Sequence, residues 1–136
     1  MKVENAVLPR GEQLQALLAA KADGPIVMLN LLKFHPRARY EDGDHGLTGA
    51  EAYGLYGVEV TKLVLKLGGR MIYFGPAEAV TIGDVTPNWD SVALVEYPSR
   101  AAFVQMAMSP EMEKIAHHRK AGLEGQLLIQ CPATPK

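Results

Sequence analysis

The sequence predicts a single α+β domain with a ferredoxin-like order of elements. After a first helix, segments of strand or helix periodicity follow one another as strand, helix, strand, strand, helix, strand. That order is the split βαβ arrangement of ferredoxin-like folds. Apolar residues on both faces of the predicted strands indicate a sheet that is covered on both sides, although the helices cover only one. A homodimer that packs sheet against sheet would cover the other face.

Length and composition agree with one globular domain and argue against several classes of function. The chain has 136 residues, with 14 Lys and Arg against 15 Asp and Glu, and this balance argues against a nucleic-acid partner. The single cysteine, Cys131, excludes an internal disulfide and fits a reducing compartment. The first residues lack the apolar core of a secretory signal, and the apolar run at 26–32 is too short to span a bilayer. We therefore expect a soluble cytoplasmic protein with no membrane partner.

The chain begins with a helical extension that precedes the first strand. Leucines recur at helical spacing within 10–22, and the Gly-Pro pair at 24–25 ends that helix. Residues 26–34 are apolar on both strand faces, as in a central strand. Asn30 and Lys33 interrupt this strand and point to opposite faces, because their positions differ in parity.

A long loop and the clearest helix of the chain follow the first strand. The loop at 35–47 is rich in turn residues, and its length is unusual for a compact domain. Thr48 and Glu51 form a capping-box pattern that begins a helix over 48–67. The predicted buried stripe of this helix contains Tyr53, Tyr56, Val60, Leu63, Val64 and Leu67.

The second half of the chain completes the predicted sheet. Its elements are two strand-like segments at 70–75 and 77–82 with a bend or bulge at Gly75-Pro76 between them, a strand at 89–97, helices at 99–108 and from 109 onward, and a strand at 126–131. The predicted domain thus has an N-terminal extension at 1–25, a ferredoxin-like core at 26–131 and a tail at 132–136.

Four segments resemble the domain-of-unknown-function family 1330. They are MLNLLKF (28–34), EAYGLYG (51–57), WDSVALVEYPSRAAF (89–103) and AHHRKAGLEGQLL (116–128). The resemblance implies a dimeric α+β barrel of ferredoxin-like subunits, and it implies no activity, because none is assigned to the family. Related barrel families include cofactor-free monooxygenases, muconolactone isomerase-like enzymes and haem-using chlorite dismutase-like enzymes. These are analogies of fold, and a fold does not fix a function.

Glu96 breaks the apolar pattern of the strand at 89–97. If Tyr97 packs under the helices, strand alternation sends Glu96 to the opposite, barrel-facing side. A buried glutamate tends to have a raised pKa, which suits general acid or base catalysis. The alternative is a structural ion pair, with Arg70 or Arg119 as the partner.

His118 and Arg119 form a second candidate pair on the last helix. Arg119 lies on the packed stripe, where it could bind a carboxylate or an enolate through two hydrogen bonds. His118 lies beside that stripe and titrates near neutral pH, so it could move a proton. The alternative is that Arg119 caps carbonyl groups or pairs with Glu96 or Glu124, while His118 is a surface residue.

The remaining candidates are aromatic or acidic. Tyr53 could aim its hydroxyl into a pocket, although aromatic residues at helical spacing usually belong to the core. Asp42, Asp44 and His45 have side chains that could bind a metal, but they lack the spacing of a ligand set. We therefore predict neither a metal nor an organic cofactor.

Together these residues predict a small-molecule site between the sheet and the helices. The ligand would be apolar with one anionic or enolisable end. Arg119 would anchor the anion, His118 or Glu96 would transfer a proton, and Asn30 and Tyr53 would orient the ligand. The reaction, if there is one, would be a cofactor-free oxygenation, an isomerisation or a similar enol chemistry. The alternatives are a ligand-binding module without turnover and a purely structural dimer whose charges form ion pairs.

Overall fold

The computed structural model describes residues 1–20 and 24–133 as one antiparallel sheet with helices. In chain order the elements are α1 (Gly11–Ala19), β1 (Ile26–Phe34), α2 (Gly49–Lys66), β2 (Arg70–Pro76), β3 (Ser91–Tyr97), α3 (Arg100–Ala107), α4 (Pro110–Gly122) and β4 (Leu123–Pro132).

The sheet has the strand order β2-β3-β1-β4, and every neighbouring pair is antiparallel. This is the ferredoxin-like arrangement, so the predicted fold class is confirmed. The first predicted helix corresponds to α1, although residues 21–23 lie outside the described residues. The last strand begins at Leu123, three positions before the predicted start at 126.

The prediction that residues 77–82 are strand-like is wrong. β2 ends at Pro76, which has no N–H to donate to another ladder hydrogen bond. The Ala77 amide still donates to the Asp90 carbonyl at 3.1 Å, but β3 begins at Ser91 and offers the following residues no partner. Ile82 is 92% exposed, so the apolar alternation of this segment does not mark a buried face.

The helices begin where side chains can cap their free N–H groups. Thr48 accepts a hydrogen bond from the Glu51 amide at 3.0 Å, and Glu51 accepts one from the Thr48 amide at 2.9 Å. This is the predicted capping box. Ser99 caps α3, and Ser109 caps α4. These caps fix where the two helices leave the sheet and therefore where their side chains point.

Two glycines let the start of α2 touch the end of α4. A Cβ atom at Gly122 would collide with the Gly49 carbonyl and would lie 2.9 Å from the Tyr53 amide nitrogen. A Cβ atom at Gly49 would collide with the backbone of His35. Since only glycine allows this approach, the pair brings Tyr53 of α2 close to the last turns of α4.

The core lies between the sheet and the helices in two main clusters. One surrounds Met28, Val64 and Val95, and the other surrounds Leu32 and Leu123. Leu32 is fully buried, and burying such a side chain stabilises the fold by about 2 kcal/mol. The second cluster also contains Tyr53 and Tyr56, and the candidate site is built beside it.

Away from the β4 edge, near which residues 2–5 lie, the other face of the sheet is left uncovered by the described chain. Along β3, the buried residues Ala93, Val95 and Tyr97 alternate with less buried ones, as a sheet covered on one face requires. The uncovered face, hereafter the open face, is nevertheless apolar. Its half-buried or exposed side chains include Val27, Leu29, Leu31, Val92, Leu94, Leu127 and Ile129.

Candidate functional site

A chain of polar side chains crosses the helix-covered face of the sheet. Gln126 of β4 donates to the Asn30 side-chain oxygen of β1 at 2.7 Å. Arg119 of α4 donates to the Gln126 side-chain oxygen and, at 2.8 Å, to the backbone carbonyl of Val7. Asn30 lies directly opposite the buried Ala93, so both residues point towards the helices. The hydrogen bonds therefore hold the guanidinium of Arg119 over the sheet.

Two tyrosines of α2 face this polar chain. Tyr53 and Tyr56 are buried and their rings lie 5.3 Å apart. Burial raises the pKa of both phenols, and the positive charge of Arg119 opposes that shift without cancelling it. Each phenol therefore keeps its proton at neutral pH. Among the described residues neither hydroxyl has a hydrogen-bond partner, so both can donate to a ligand oxygen.

Arg119 has only neutral partners in the part of the chain that the structure describes. Its hydrogen bonds go to an amide oxygen and a carbonyl oxygen, and none of the salt bridges at 1–20 and 24–133 includes it. A partly buried charge without a counter-ion is costly, because it gives up water without gaining an opposite charge. The arrangement is therefore suited to an anion, whose carboxylate could accept two hydrogen bonds from the guanidinium.

Glu96 lies on the other side of the sheet and pairs with Arg70. The two side chains meet at 3.1 Å on the open face, where 26% of the Glu96 side chain and 65% of the Arg70 side chain are exposed. The idea that Arg119 is the counterpart of Glu96 is wrong, because Tyr97 packs under the helices and alternation turns Glu96 away. The Arg70 alternative is the observed one. An ion pair this exposed is worth at most about 1 kcal/mol.

The His118 side chain points to the loop at 35–47 and not to Val7 and Gln126, the hydrogen-bond partners of Arg119. Its Nδ1 atom lies 2.7 Å from the Tyr40 hydroxyl, and its ring lies 4.0 Å from that of His117. Burial lowers the pKa of His118, and the neighbouring His117 and His45 lower it further. His118 is therefore neutral near pH 7, and we assign Nδ1 as the acceptor of the Tyr40 proton.

The predicted site residues thus separate into one group and two isolated positions. Arg119, Asn30 and Tyr53 come together between the sheet and the helices, whereas Glu96 and His118 lie elsewhere. Sequence reasoning missed Gln126, which connects Arg119 to Asn30. A polar residue at the start of an apolar strand was the available signal. It also missed the Val7 carbonyl, and a backbone atom leaves no signal in the sequence.

Two ion pairs form within the loop at 35–47. Asp42 contacts His45 at 2.6 Å, and Arg37 contacts Asp44 at 2.9 Å. Within the described residues, no group of three or more His, Cys, Asp or Glu side chains is arranged to hold a metal ion. No helix in the described part of the chain combines the length and the apolarity needed to cross a membrane.

Fold and site define a ferredoxin-like α+β protein with a polar site between its sheet and its helices. The chain belongs to the domain-of-unknown-function family 1330 (DUF1330), whose model matches residues 44–130. The matched region includes Tyr53, Arg119 and Gln126, whereas Asn30 and Val7 precede it. No protein with curated annotation matches this chain.

Several solved structures share the fold. A protein of unknown function from Rhodopseudomonas palustris is 38% identical, with a TM-score of 0.86 and coverage of 97% of this chain and 100% of that one. A dimeric ferredoxin-like protein of unknown function from Jannaschia sp. is 13% identical, with a TM-score of 0.55 and coverage of 81% and 100%. SnoaB, a cofactor-independent oxygenase from Streptomyces nogalater, is 10% identical, with a TM-score of 0.53 and coverage of 84% and 97%. At such identities, the latter two are evidence for the fold alone.

Proposed function

We propose that this protein binds a small organic anion at Arg119, between the sheet and the helices. The observation that carries the proposal is a partly buried guanidinium that has neutral partners only and faces two unpartnered phenols. A ligand carboxylate or enolate would supply the missing negative charge. The class of ligand is therefore an apolar molecule with one anionic end.

The surroundings of Arg119 support an orientation for such a ligand. Its anionic end would accept hydrogen bonds from Arg119 and from the hydroxyls of Tyr53 and Tyr56. Its apolar part would contact the cluster that includes Leu123 and Ile115. Asn30 would act through Gln126, since its oxygen accepts the hydrogen bond that turns the Gln126 oxygen towards Arg119.

Two versions of this function differ in whether the ligand reacts. Cofactor-free oxygenation or isomerisation of an enolisable acid needs a base beside the ligand. SnoaB is described as a cofactor-independent oxygenase, which supports such chemistry only as an analogy of fold. Binding without turnover is favoured by one observation: Glu96 and His118 both make their contacts away from Arg119.

An Arg119→Met variant tests the binding site directly. We expect a panel of aromatic carboxylates, with benzoate as the first probe, to raise the melting temperature of the wild-type protein, because ligands of the native state stabilise it. Loss of the guanidinium should weaken benzoate binding at least about tenfold, since a charge-assisted pair contributes about 1.5–3 kcal/mol. Isothermal titration calorimetry measures the affinity.

Lys120→Met is the matched control, because Lys120 is the neighbouring cation and pairs with Glu41 on the surface. It should bind benzoate as the wild-type protein does. If Arg119→Met and Lys120→Met bind every carboxylate of the panel equally well, Arg119 is not an anion site. If no carboxylate binds the wild-type protein, the structural reading of Arg119 as a cap for carbonyl groups replaces the proposal.

We also propose that two copies of the chain pack their open faces together. The apolar side chains of that face support this, because a soluble protein rarely leaves such a patch uncovered. The Jannaschia protein is described as dimeric, which agrees with the proposal. The cytoplasmic location stays a prediction from the single cysteine.

A further inference from the structure

Residues 5–8, hereafter the strap, lie across the polar chain at its outer end. The Ala6 amide donates to the Gln126 carbonyl at 3.1 Å, beyond the edge of β4. The Val7 carbonyl accepts the hydrogen bond from Arg119 at 2.8 Å, and the Val7 side chain packs against the cluster that contains Tyr53. The strap therefore occupies the side of Arg119 that β4 leaves open.

Asn5 fits into a space that a glycine of β4 leaves free. A Cβ atom at Gly125 would collide with the Asn5 side chain. Any side chain at position 125 would therefore displace the Asn5 side chain. This contact provides a means of disturbing the strap without changing Arg119, Gln126 or the tyrosines.

The strap is held much less firmly than the sheet beneath it. Of its four residues only Val7 is even partly buried, and the residues before and after it are exposed. A depression of about 380 Å³ lies beside it, lined by Lys2, Val3, Glu4, Arg10 and Leu127. Segments with few buried contacts open locally at a lower free energy than the whole fold.

We propose that the strap is a displaceable cover in which the Val7 carbonyl occupies the ligand's place on Arg119. This inference rests on the proposed anion site and adds its regulation. An incoming carboxylate exchanges with the Val7 carbonyl, because a charged acceptor binds a guanidinium more strongly than a neutral one does. The apparent affinity for the ligand equals the intrinsic affinity multiplied by the fraction of molecules whose strap is open. A strap that is mostly closed therefore weakens binding. The site is thus autoinhibited by the chain's own N-terminal segment.

Two variants open the strap by different routes. Gly125→Ala places a methyl group where Asn5 lies, and Ala6→Pro removes the N–H that donates to the Gln126 carbonyl. Gly54→Ala is the matched control for the first variant, because a Cβ atom there meets nothing within 4 Å. Val3→Pro is the control for the second, because position 3 is exposed and precedes the strap. Circular dichroism establishes that each variant folds.

The readout is the rate at which phenylglyoxal modifies Arg119, followed by peptide mass spectrometry. We expect Arg119 to react at least about fivefold faster in Gly125→Ala and Ala6→Pro than in the wild-type protein and both controls, because the reactive population rises with the open fraction. Benzoate should protect Arg119 from the reagent, and its apparent affinity should rise by the same factor in the two strap variants.

The two proposals fail in different ways. Equal modification rates in the wild-type protein and in the folded strap variants would overturn the cover. Equal benzoate affinities despite faster modification would overturn autoinhibition. If the strap variants react faster but benzoate protects Arg119 in none of them, the anion site fails and the inhibitory role fails with it, while a mobile strap remains. Should one strap variant not fold, the other decides the result.

Discussion

At the scale of single residues, the burial of His118 makes stability depend on pH. Burial, followed by the charges of His117 and His45, lowers the pKa of His118 in the folded protein. The folded state thus binds a proton less readily than the unfolded chain. The contribution of neutral His118 to the free energy of unfolding is therefore fully present above the pKa of histidine in the unfolded chain, about 6.5. It is lost as the pH falls through the lower pKa of His118 in the folded protein.

We predict that His118→Asn reduces this dependence on pH. The free energy of unfolding, measured by urea denaturation, should fall between about pH 7.5 and about pH 5 by less in the variant than in the wild-type protein. Lys114→Asn, on the exposed side of the same helix, should keep the wild-type difference. An unchanged difference in His118→Asn would mean that other groups cause the acid sensitivity.

Single residues also show how much of the candidate site could be predicted from the sequence. Arg119, Asn30 and Tyr53 were predictable because a polar group on a buried stripe or in an apolar strand breaks a pattern. The face of the sheet on which Asn30 lies was not predictable, because β1 is apolar on both sides. Strand alternation assigns a face only when the face of another residue in the strand is already known. The Val7 carbonyl was beyond prediction, since every residue has one and only the path of the chain brings it to Arg119.

At the scale of elements, the contact of α2 with α4 depends on backbones that touch. We predict that Gly122→Ala destabilises the protein by about 2 kcal/mol or more, because overpacking a tight contact costs about 1–3 kcal/mol. Here the new Cβ atom meets the Gly49 carbonyl and the Tyr53 backbone, neither of which is a flexible side-chain end. Gly57→Ala, within α2, should instead stabilise by about 0.5–1 kcal/mol, because alanine is the better residue in a helix.

Thermal and urea denaturation measure both changes. Opposite signs for Gly122→Ala and Gly57→Ala are the expected result. A loss of less than about 0.5 kcal/mol in Gly122→Ala, the range of ordinary surface substitutions, would mean that α2 and α4 separate without difficulty. The same variant should also weaken benzoate binding, because it shifts Tyr53 relative to Arg119.

Elements were predicted well where two signals agreed and poorly where one stood alone. The helix α2 had both a capping box and a buried stripe, and its observed bounds agree with prediction within one residue. The segment at 77–82 had only an apolar alternation. A strand also needs a partner for its N–H and C=O groups, and β3, which begins at Ser91 opposite Pro76, offers none to the residues that follow Pro76.

At the scale of the whole molecule, two of the apolar surfaces in the described part of the chain have no cover. One is the open face of the sheet. The other is α1, which has no buried residue and whose Leu14 and Leu18 are 41% and 52% exposed. A helix this short is marginal on its own in water, so its stability depends on packing. Both surfaces lie outside the core of the single chain, and the proposed dimer would cover the open face.

The open face gives the sharpest test of that dimer. Leu94 lies on it, directly opposite Leu29 of β1. We predict that Leu94→Asp converts the protein from a dimer to a monomer of 14.8 kDa in size-exclusion chromatography with light scattering. Each apolar side chain removed from the interface forfeits about 2 kcal/mol, and symmetry doubles the loss. The dissociation constant should therefore rise about a thousandfold, because each 1.4 kcal/mol is a factor of ten.

Lys62→Asp is the control for added negative charge, because Lys62 lies on the exposed side of α2. It should stay dimeric. A wild-type protein that is monomeric at tens of micromolar, or a Leu94→Asp variant that still dimerises, would contradict packing through the open face.

Arg70 and Glu96 lie on that face as well, so a dimer would remove water from their ion pair. An exposed ion pair contributes at most about 1 kcal/mol. Glu96→Gln should weaken the dimer by more than this, because a desolvated Arg70 would lose its counter-ion.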